Sequence, residues 1–212
     1  MAVNQKDPSF NLAVDLHGFF REALSVALSE RRVEASEPTA QYLVALLADF
    51  AKPDELTCET LDRPLAFLLE DALATTGQER FDRLRVLGDS VLYTSGFFLD
   101  HLQNRGVQLD YVSTLGARAY GCAATMLRHA GQAAGDETQQ APALFDELAG
   151  KFTRFAEVLG TVADGLFANA APHTGSGMLR LYERWLRTGS TQLASTLAVH
   201  GLVPTRGKGG VH

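Results

Sequence analysis

From Leu16 to Val199 the apolar residues of this chain return at every third or fourth position, and that spacing constrains the fold more than any other feature. In LHGFFREALSVAL, Leu16, Phe19, Phe20, Ala23, Leu24, Ala27 and Leu28 share one stripe of a helix. Ser36-Glu37-Pro38 reads as an N-cap with proline in the first turn of a second helix. Leu43, Val44, Leu46, Leu47 and Phe50 follow, and Lys52-Pro53 closes it. A third helix is expected from near Asp62-Arg63-Pro64, burying Leu65, Leu68, Leu69, Ala72 and Leu73. Gly77 breaks the chain, and Thr76 with Glu79 has the spacing of a capping box at the head of a fourth segment, from Gln78 to about Asn104.

Asp110 is placed to cap a fifth helix running to about His129, and GQAAGDETQQA (131–141) reads as a loop. Pro142 opens a sixth, stepping through Leu144, Leu148, Phe152, Phe155, Leu159, Val162 and Leu166. Two shorter helices, about 177–187 and 190–200, flank Gly189-Ser190, and Gly201 followed by Leu202 suits a Schellman stop. No hairpin signal and no internal repeat interrupts the pattern. The expectation is all-α: a single-domain helical bundle of seven or eight helices over residues 1–204, with a C-terminal helical hairpin and a flexible tail at 205–212.

Composition narrows the function classes. Hydrophobic residues make up 46% and charged residues 21% of the 212, ordinary for a globular chain with a real core. No apolar run reaches the roughly 18 residues of a membrane span, and MAVNQKDPSF lacks the apolar core of a secretory leader. A cytoplasmic location with reduced Cys58 and Cys122 follows as the expectation, and these cysteines have no metal-ligand spacing. Charge is unevenly placed. From Gly177 onward five Lys/Arg stand against Glu183 alone, giving +4, so the chain's net −6 leaves −10 for the preceding 176 residues. An acidic body repels nucleic acid, whereas the basic end suits an acidic partner.

Small residues recur within the middle helices: Gly88, Ser90, Ser95 and Gly96 in the fourth, Ser113, Gly116, Ala117, Gly121 and Ala124 in the fifth, Ala149, Ala156, Gly160 and Ala163 in the sixth. Glycine inside a helix costs about 1 kcal/mol relative to alanine, and close approach of two backbones is the simplest offset. That reading also bears on Gly88-Asp89-Ser90, which matches the way GDSL-type esterases present a nucleophilic serine. Such an enzyme also needs a strand ending at Ser90, oxyanion donors from later blocks and an Asp-x-x-His. The sequence holds no Asp-x-x-His, and Val91, Leu92, Ser95, Phe98, Leu99 and Leu102 continue a helical stripe beyond the serine. Ser90 is therefore read as part of a small-residue waist, with the esterase kept as a remote alternative.

Asp89 and Tyr93 lie four apart on that helix, and a turn near 103–109 folds Tyr111 and Tyr120 back beside them. A carboxylate among tyrosines is either a satisfied buried network or a polar pocket for a small molecule, and Asp89, Tyr93, Tyr111 and Tyr120 are the candidates. Metal chemistry finds little footing. No histidine has a Glu three residues before it, so the di-iron pattern is missing, and only a group of Glu70, Asp71, Asp89 and His101 is geometrically conceivable. No metal and no cofactor is expected. GLVPTRGK (201–208) fails the phosphate-loop spacing, and LVPTRGKGG cannot form the second helix of a DNA reader.

The final pair, LYERWLRTGSTQLASTLAVHGLVP, sets Tyr182 and Trp185 beside Arg180, Arg184 and Arg187, residue types enriched at protein-binding hot spots. The same tryptophan can serve as the anchor of the hairpin, with the arginines facing a partner. The segments LGDSVLYTSGFFLDHL (87–102), LDYVSTLGARAYG (109–121) and LYERWLRTGS (181–190) together resemble a family of bacterial cytoplasmic all-helical proteins of no established activity. The resemblance implies a free-standing helical domain and carries no catalytic residue across. The leading expectation is a non-enzymatic protein acting through protein contacts, as an oligomer or an adaptor. A small-molecule site around Asp89 is the alternative.

Overall fold

The structure, a computed structural model, describes residues 8–51, 65–98, 108–134, 140–170, 175–202 and 204. Among them there are nine helices and no strand: α1 (Pro8–Arg31), α2 (Glu37–Phe50), α3 (Leu65–Ala74), α4 (Gly77–Phe97), α5 (Leu109–Ala134), α6 (Gln140–Gly150), α7 (Phe152–Ala170), α8 (Gly175–Thr188) and α9 (Thr191–Val199). No helix of the described residues is long and apolar enough to cross a membrane. The expected flexible tail, His101 and Cys58 lie outside the described residues.

Local chemistry explains most of the boundaries. Ser36 caps α2, its hydroxyl accepting from the Thr39 N–H while Pro38 occupies the first turn, where its missing N–H costs nothing. Ser190 caps α9 in the same way by accepting from Leu193 N–H. At the other end of α9, Leu202 N–H donates to Leu197 C=O and Gly201 N–H to Ala198 C=O, with Gly201 at φ 82°; this is the Schellman stop expected from sequence. The end of α1 repeats that pattern with Arg32 at φ 52° in the left-handed position, Val33 N–H donating to Leu28 C=O and Arg32 N–H to Ser29 C=O.

Four boundaries differ from the sequence reading. The helix of the fourth segment, α4, ends at Phe97 with Phe98 as its C-cap, short of the expected end near Asn104. Thr76 is the N-cap of α4, yet its side chain makes no cap bond; Glu79 instead pairs with Arg83 one turn on, so the capping box does not close. The loop expected over 131–141 is shorter, because α5 continues to Ala134 and α6 begins at Gln140. The long helix expected from Pro142 to Leu166 is two helices, α6 and α7, with a turn at Lys151. Its apolar stripe runs through the break because Phe155 N–H still bonds Lys151 C=O and both pieces bury the same side.

The helices group into two compact units, Met1–Gly160 and Thr161–His212, and α7 passes from one to the other. No lapse in periodicity marks that boundary in the sequence. In the first unit α4 and α5 are central neighbours; α3 packs on both, α2 packs on α1, α4 and α6, and α6 packs on α5. Its fully buried side chains include Leu24, Leu43, Leu47, Leu84, Leu92, Tyr120, Leu148, Phe155 and Leu159. In the second unit, Leu181 and Trp185 of α8 pack with Leu193 and Leu197 of α9 and with Ala168, flanked by Met178, Tyr182 and Ala194.

The small residues act as close crossings. A Cβ added at Gly88 would lie 2.5 Å from Tyr120 Cε1; at Gly96, 2.5 Å from Leu159 Cβ; at Gly116, 2.6 Å from Phe152 Cε2 and 2.9 Å from Val91 Cγ1. Such distances are well inside van der Waals contact, so the neighbouring element must move before alanine fits. Gly121, one turn further along α5, has nothing within 4 Å of that point and is no crossing. Gly88→Ala and Gly116→Ala should each destabilise by about 1–3 kcal/mol through overpacking, while Gly121→Ala should leave stability unchanged or raise it by up to about 1 kcal/mol. Urea unfolding of the three variants checks this; equal effects at all three positions would refute the crossing assignment.

Candidate functional site

The waist of α4 holds a carboxylate that three other side chains reach. Gly88 lets the Tyr120 ring of α5 lie flat on α4, and from there its hydroxyl donates to Asp89 Oδ1 at 2.7 Å. Tyr42 of α2 donates to the same oxygen at 2.5 Å. Arg85, one turn earlier on α4, donates through Nη1 to Oδ2 at 3.1 Å. Phe145 of α6 closes the site from above: its ring lies 5.7 Å from Tyr42 and 5.8 Å from Tyr120, and Phe152 stands 5.9 Å from Tyr120. Asp89 and Tyr120 are buried, and Tyr42 and Arg85 form the half-exposed rim.

Burial sets the titration. Desolvation pushes the Asp89 carboxyl above its ordinary range, although Tyr42, Tyr120 and Arg85 all favour the ionised form, and the nearby Asp49 adds to the rise. The Tyr120 hydroxyl is raised first by burial and then by the Asp89 charge, and Tyr42 is raised for the same two reasons. Neither phenol is therefore poised to lose its proton near neutrality. Three of the roughly four acceptor positions of the carboxylate are occupied by donors of the chain itself. The arrangement is a pinned hydrogen-bond node joining α2, α4 and α5.

Of the four residues read as a pocket, the structure brings Asp89 and Tyr120 together and separates the other two. Tyr93 stacks between Phe50, 4.3 Å away, and Phe97, 4.5 Å away, with Phe98 edge-on, and its hydroxyl is raised by burial. Side chains of a helix lean toward its N-terminus, so the short Asp89 side chain meets Arg85 rather than Tyr93. Tyr111, at the head of α5, is 51% exposed and belongs to no such cluster among the described residues. Ser90 sits in the interior of α4, buried, with helix on both sides and no turn to present its hydroxyl. The second tyrosine partner of Asp89, Tyr42, went unnoticed in the sequence because it lies 47 residues from Asp89. Its only local signal is a phenol at a half-buried position on an otherwise apolar stripe.

A second node, equally silent in sequence, lies where α6 meets the head of α2. Glu147 accepts from the Ser36 N–H at 3.2 Å on both oxygens, from Thr39 Oγ1 at 2.7 Å and from Lys151 Nζ at 2.9 Å. Lys151 also donates to Glu34 C=O at 2.8 Å. Partial burial raises the Glu147 carboxyl, but the donors of Ser36, Lys151 and Thr39 outweigh it and hold it down at about 2. It is a negative charge at a helix N-terminus, where the backbone N–H groups favour it.

In the second unit Arg184 turns inward. Its Nε donates to Asp164 Oδ1 at 2.5 Å, its guanidinium lies 4.6 Å over the Phe167 ring, and it is 9% exposed. Trp185 is buried in the α8–α9 core. Of the five residues expected on a partner surface, these two are instead the anchor of the hairpin, because their α8 register faces α7 and α9. Arg180 and Arg187 are exposed and Tyr182 is half-buried. Among the described residues no three His, Cys, Asp or Glu side chains come together to hold a metal ion.

The chain matches no family model, no curated protein and no solved structure. The resemblance of residues 87–102, 109–121 and 181–190 to bacterial helical proteins therefore rests on those residues alone.

Two carboxyls of opposite character follow from these geometries. Asp89→Asn should cost about 1–3 kcal/mol by leaving buried phenols with a poorer acceptor. Because the folded Asp89 pKa is raised above 3.8, its contribution is fully present below that pH and is lost as pH rises through the folded value, so the penalty should shrink with increasing pH. Glu147 has the opposite sign. Its contribution is present above 4.5 and is lost as pH falls toward about 2. The stability difference between the parent and Glu147→Gln should therefore vanish in that acid window. Urea midpoints measured between about pH 2 and 8 check both slopes; parallel slopes for the two variants would contradict the assignment.

Proposed function

We propose that this chain is a non-catalytic helical protein that works through protein contacts, and that its docking face is the outer side of α8. The supporting observation is the pattern left exposed once the inward face is satisfied. Leu179 and Leu186 are 57% and 43% exposed, and exposed Arg180, Glu183 and Arg187 lie beside them at helical spacing. Positions 179, 183 and 186 fall on one side of the helix, with 180 and 187 along one flank of it, so two leucines lie beside a basic edge. Exposed apolar side chains bordered by charge suit a docking surface.

The partner that fits is acidic, and a second copy of the chain supplies one: residues before Gly177 carry a net −10 against +4 from there on. Self-association of this kind joins unlike faces and weakens with salt, because the exposed charges are screened over about 8–10 Å at physiological ionic strength.

Sedimentation of the purified protein should show reversible association at concentrations up to about 100 μM. Arg180→Glu with Arg187→Glu, and separately Leu186→Asp, should weaken that association by at least about tenfold with unfolding midpoints unchanged. Arg184→Glu serves as the contrast. It breaks a buried pair with Asp164 and should destabilise by about 3–5 kcal/mol. A protein that stays monomeric throughout, or that associates equally well with both exposed arginines reversed, would overturn the reading.

A further inference from the structure

Along α4 from the Asp89 node, the first turn of α4 and one face of α5 border an open cleft of about 480 Å³ lined by Arg80, Arg118, Gly121, Cys122, Thr125, Met126 and His129. Its α5 residues fall at i, i+3, i+4, i+7, i+8 and i+11, a single stripe, and Arg80 faces them from α4. No acidic residue lines the cleft. Among the described residues neither Arg80 nor Arg118 forms an ion pair, whereas the neighbouring Arg83, Arg85 and Arg128 are each paired, with Glu79, Asp89 and Asp146. Arg80 Nε is shielded from solvent and has no hydrogen-bond partner among the described residues. A shielded guanidinium N–H without an acceptor is costly and calls for an explanation, and an oxyanion received by the rest of the Arg80 guanidinium is one.

Gly121 gives the cleft its depth. A Cβ there would meet nothing within 4 Å, so glycine at this place is not explained by a helix crossing, unlike Gly88, Gly96 and Gly116. The floor made by Gly121, Cys122 and Met126 is apolar or soft, and the charge lies at the Arg80 and Arg118 side. The volume lies in the range of small-molecule sites, about 300–1,000 Å³.

We propose that this cleft binds a small organic oxyanion, its phosphate or carboxylate head held by the Arg80 and Arg118 guanidinium groups and its apolar body laid along Gly121, Cys122 and Met126. Guanidinium forks match both head groups, since each offers paired oxygens at one spacing. The site is distinct from the α8 face and from the Asp89 node, and stands or falls independently of the self-association reading.

The test uses the full chain and three probes of common shape: phenyl phosphate, benzoate and phenol. Titration followed by ¹H–¹⁵N spectra should show saturable shifts with phenyl phosphate or benzoate, centred on the Gly121, Cys122 and Thr125 amides and the Arg80 Nε–H, and none of comparable size with phenol. Arg118→Glu removes an exposed charge, and Gly121→Leu fills open space on a helix that tolerates leucine. Both variants should keep the parent unfolding midpoint and weaken the oxyanion probe by at least about tenfold. Whichever of phenyl phosphate and benzoate binds more tightly names the head group. Absence of saturable binding by either anion, equal binding of phenol, or unaltered affinity in both variants would overturn the proposal.

Discussion

The Asp89 carboxylate is the point on which the first unit's helices depend for their mutual setting. One of its oxygens takes hydroxyls from α2 and α5 at once, and the other takes the guanidinium of its own helix. Burying that group carries a desolvation penalty of several kcal/mol, which its hydrogen bonds offset only if all of them form together. The condition is geometric. Tyr120 reaches Asp89 only because Gly88 has no side chain, and Tyr42 reaches it only if α2 lies at one height along α4. A hydrophobic interface alone would tolerate sliding; this node selects one register.

Close packing and capping extend the same demand. Gly96 against Leu159 and Gly116 against Phe152 bring helix backbones nearer than side chains ordinarily permit, and a dense interior of this kind deforms little. Glu147 reaches across from α6 to hold the head of α2, while Lys151 beside it ties the segment before α2 through Glu34. The polar groups of the first unit are thus concentrated at helix junctions, where each fixes the relative position of two elements that share no sequence neighbourhood.

The two units use charge differently. In the first, carboxylates answer phenols, backbone N–H groups and basic side chains, while Arg80 and Arg118, beside a cleft, form no ion pair among the described residues. In the second, the buried guanidinium of Arg184 is matched to Asp164 and stacked on Phe167, so the hairpin is anchored by Arg184 and Trp185, while Arg180 and Arg187 of α8 are exposed. Residue types that look alike in the sequence, five basic and aromatic side chains within eight positions, divide between anchor and surface because a helix turns 100° per residue.

Helical class, the Ser36 cap, the Gly201 stop and the small-residue crossings at Gly88, Gly96 and Gly116 were legible in the amino-acid sequence, because each depends on neighbours within about one turn or on the absence of a side chain. The pairing of Asp89 with Tyr120 was legible in part, since a helical hairpin brings successive helices side by side. Tyr42, Glu147 and the inward turn of Arg184 were not. Their partners lie 47, 108 and 20 residues away, and which side chains meet at such separations is set by the rotation and height of packed helices. The cleft beneath Arg80 has the same origin: the sequence supplies its arginines and its glycine, but only the packing of α4 on α5 places them around one volume, because local propensity fixes a helix and says nothing of what its faces will touch.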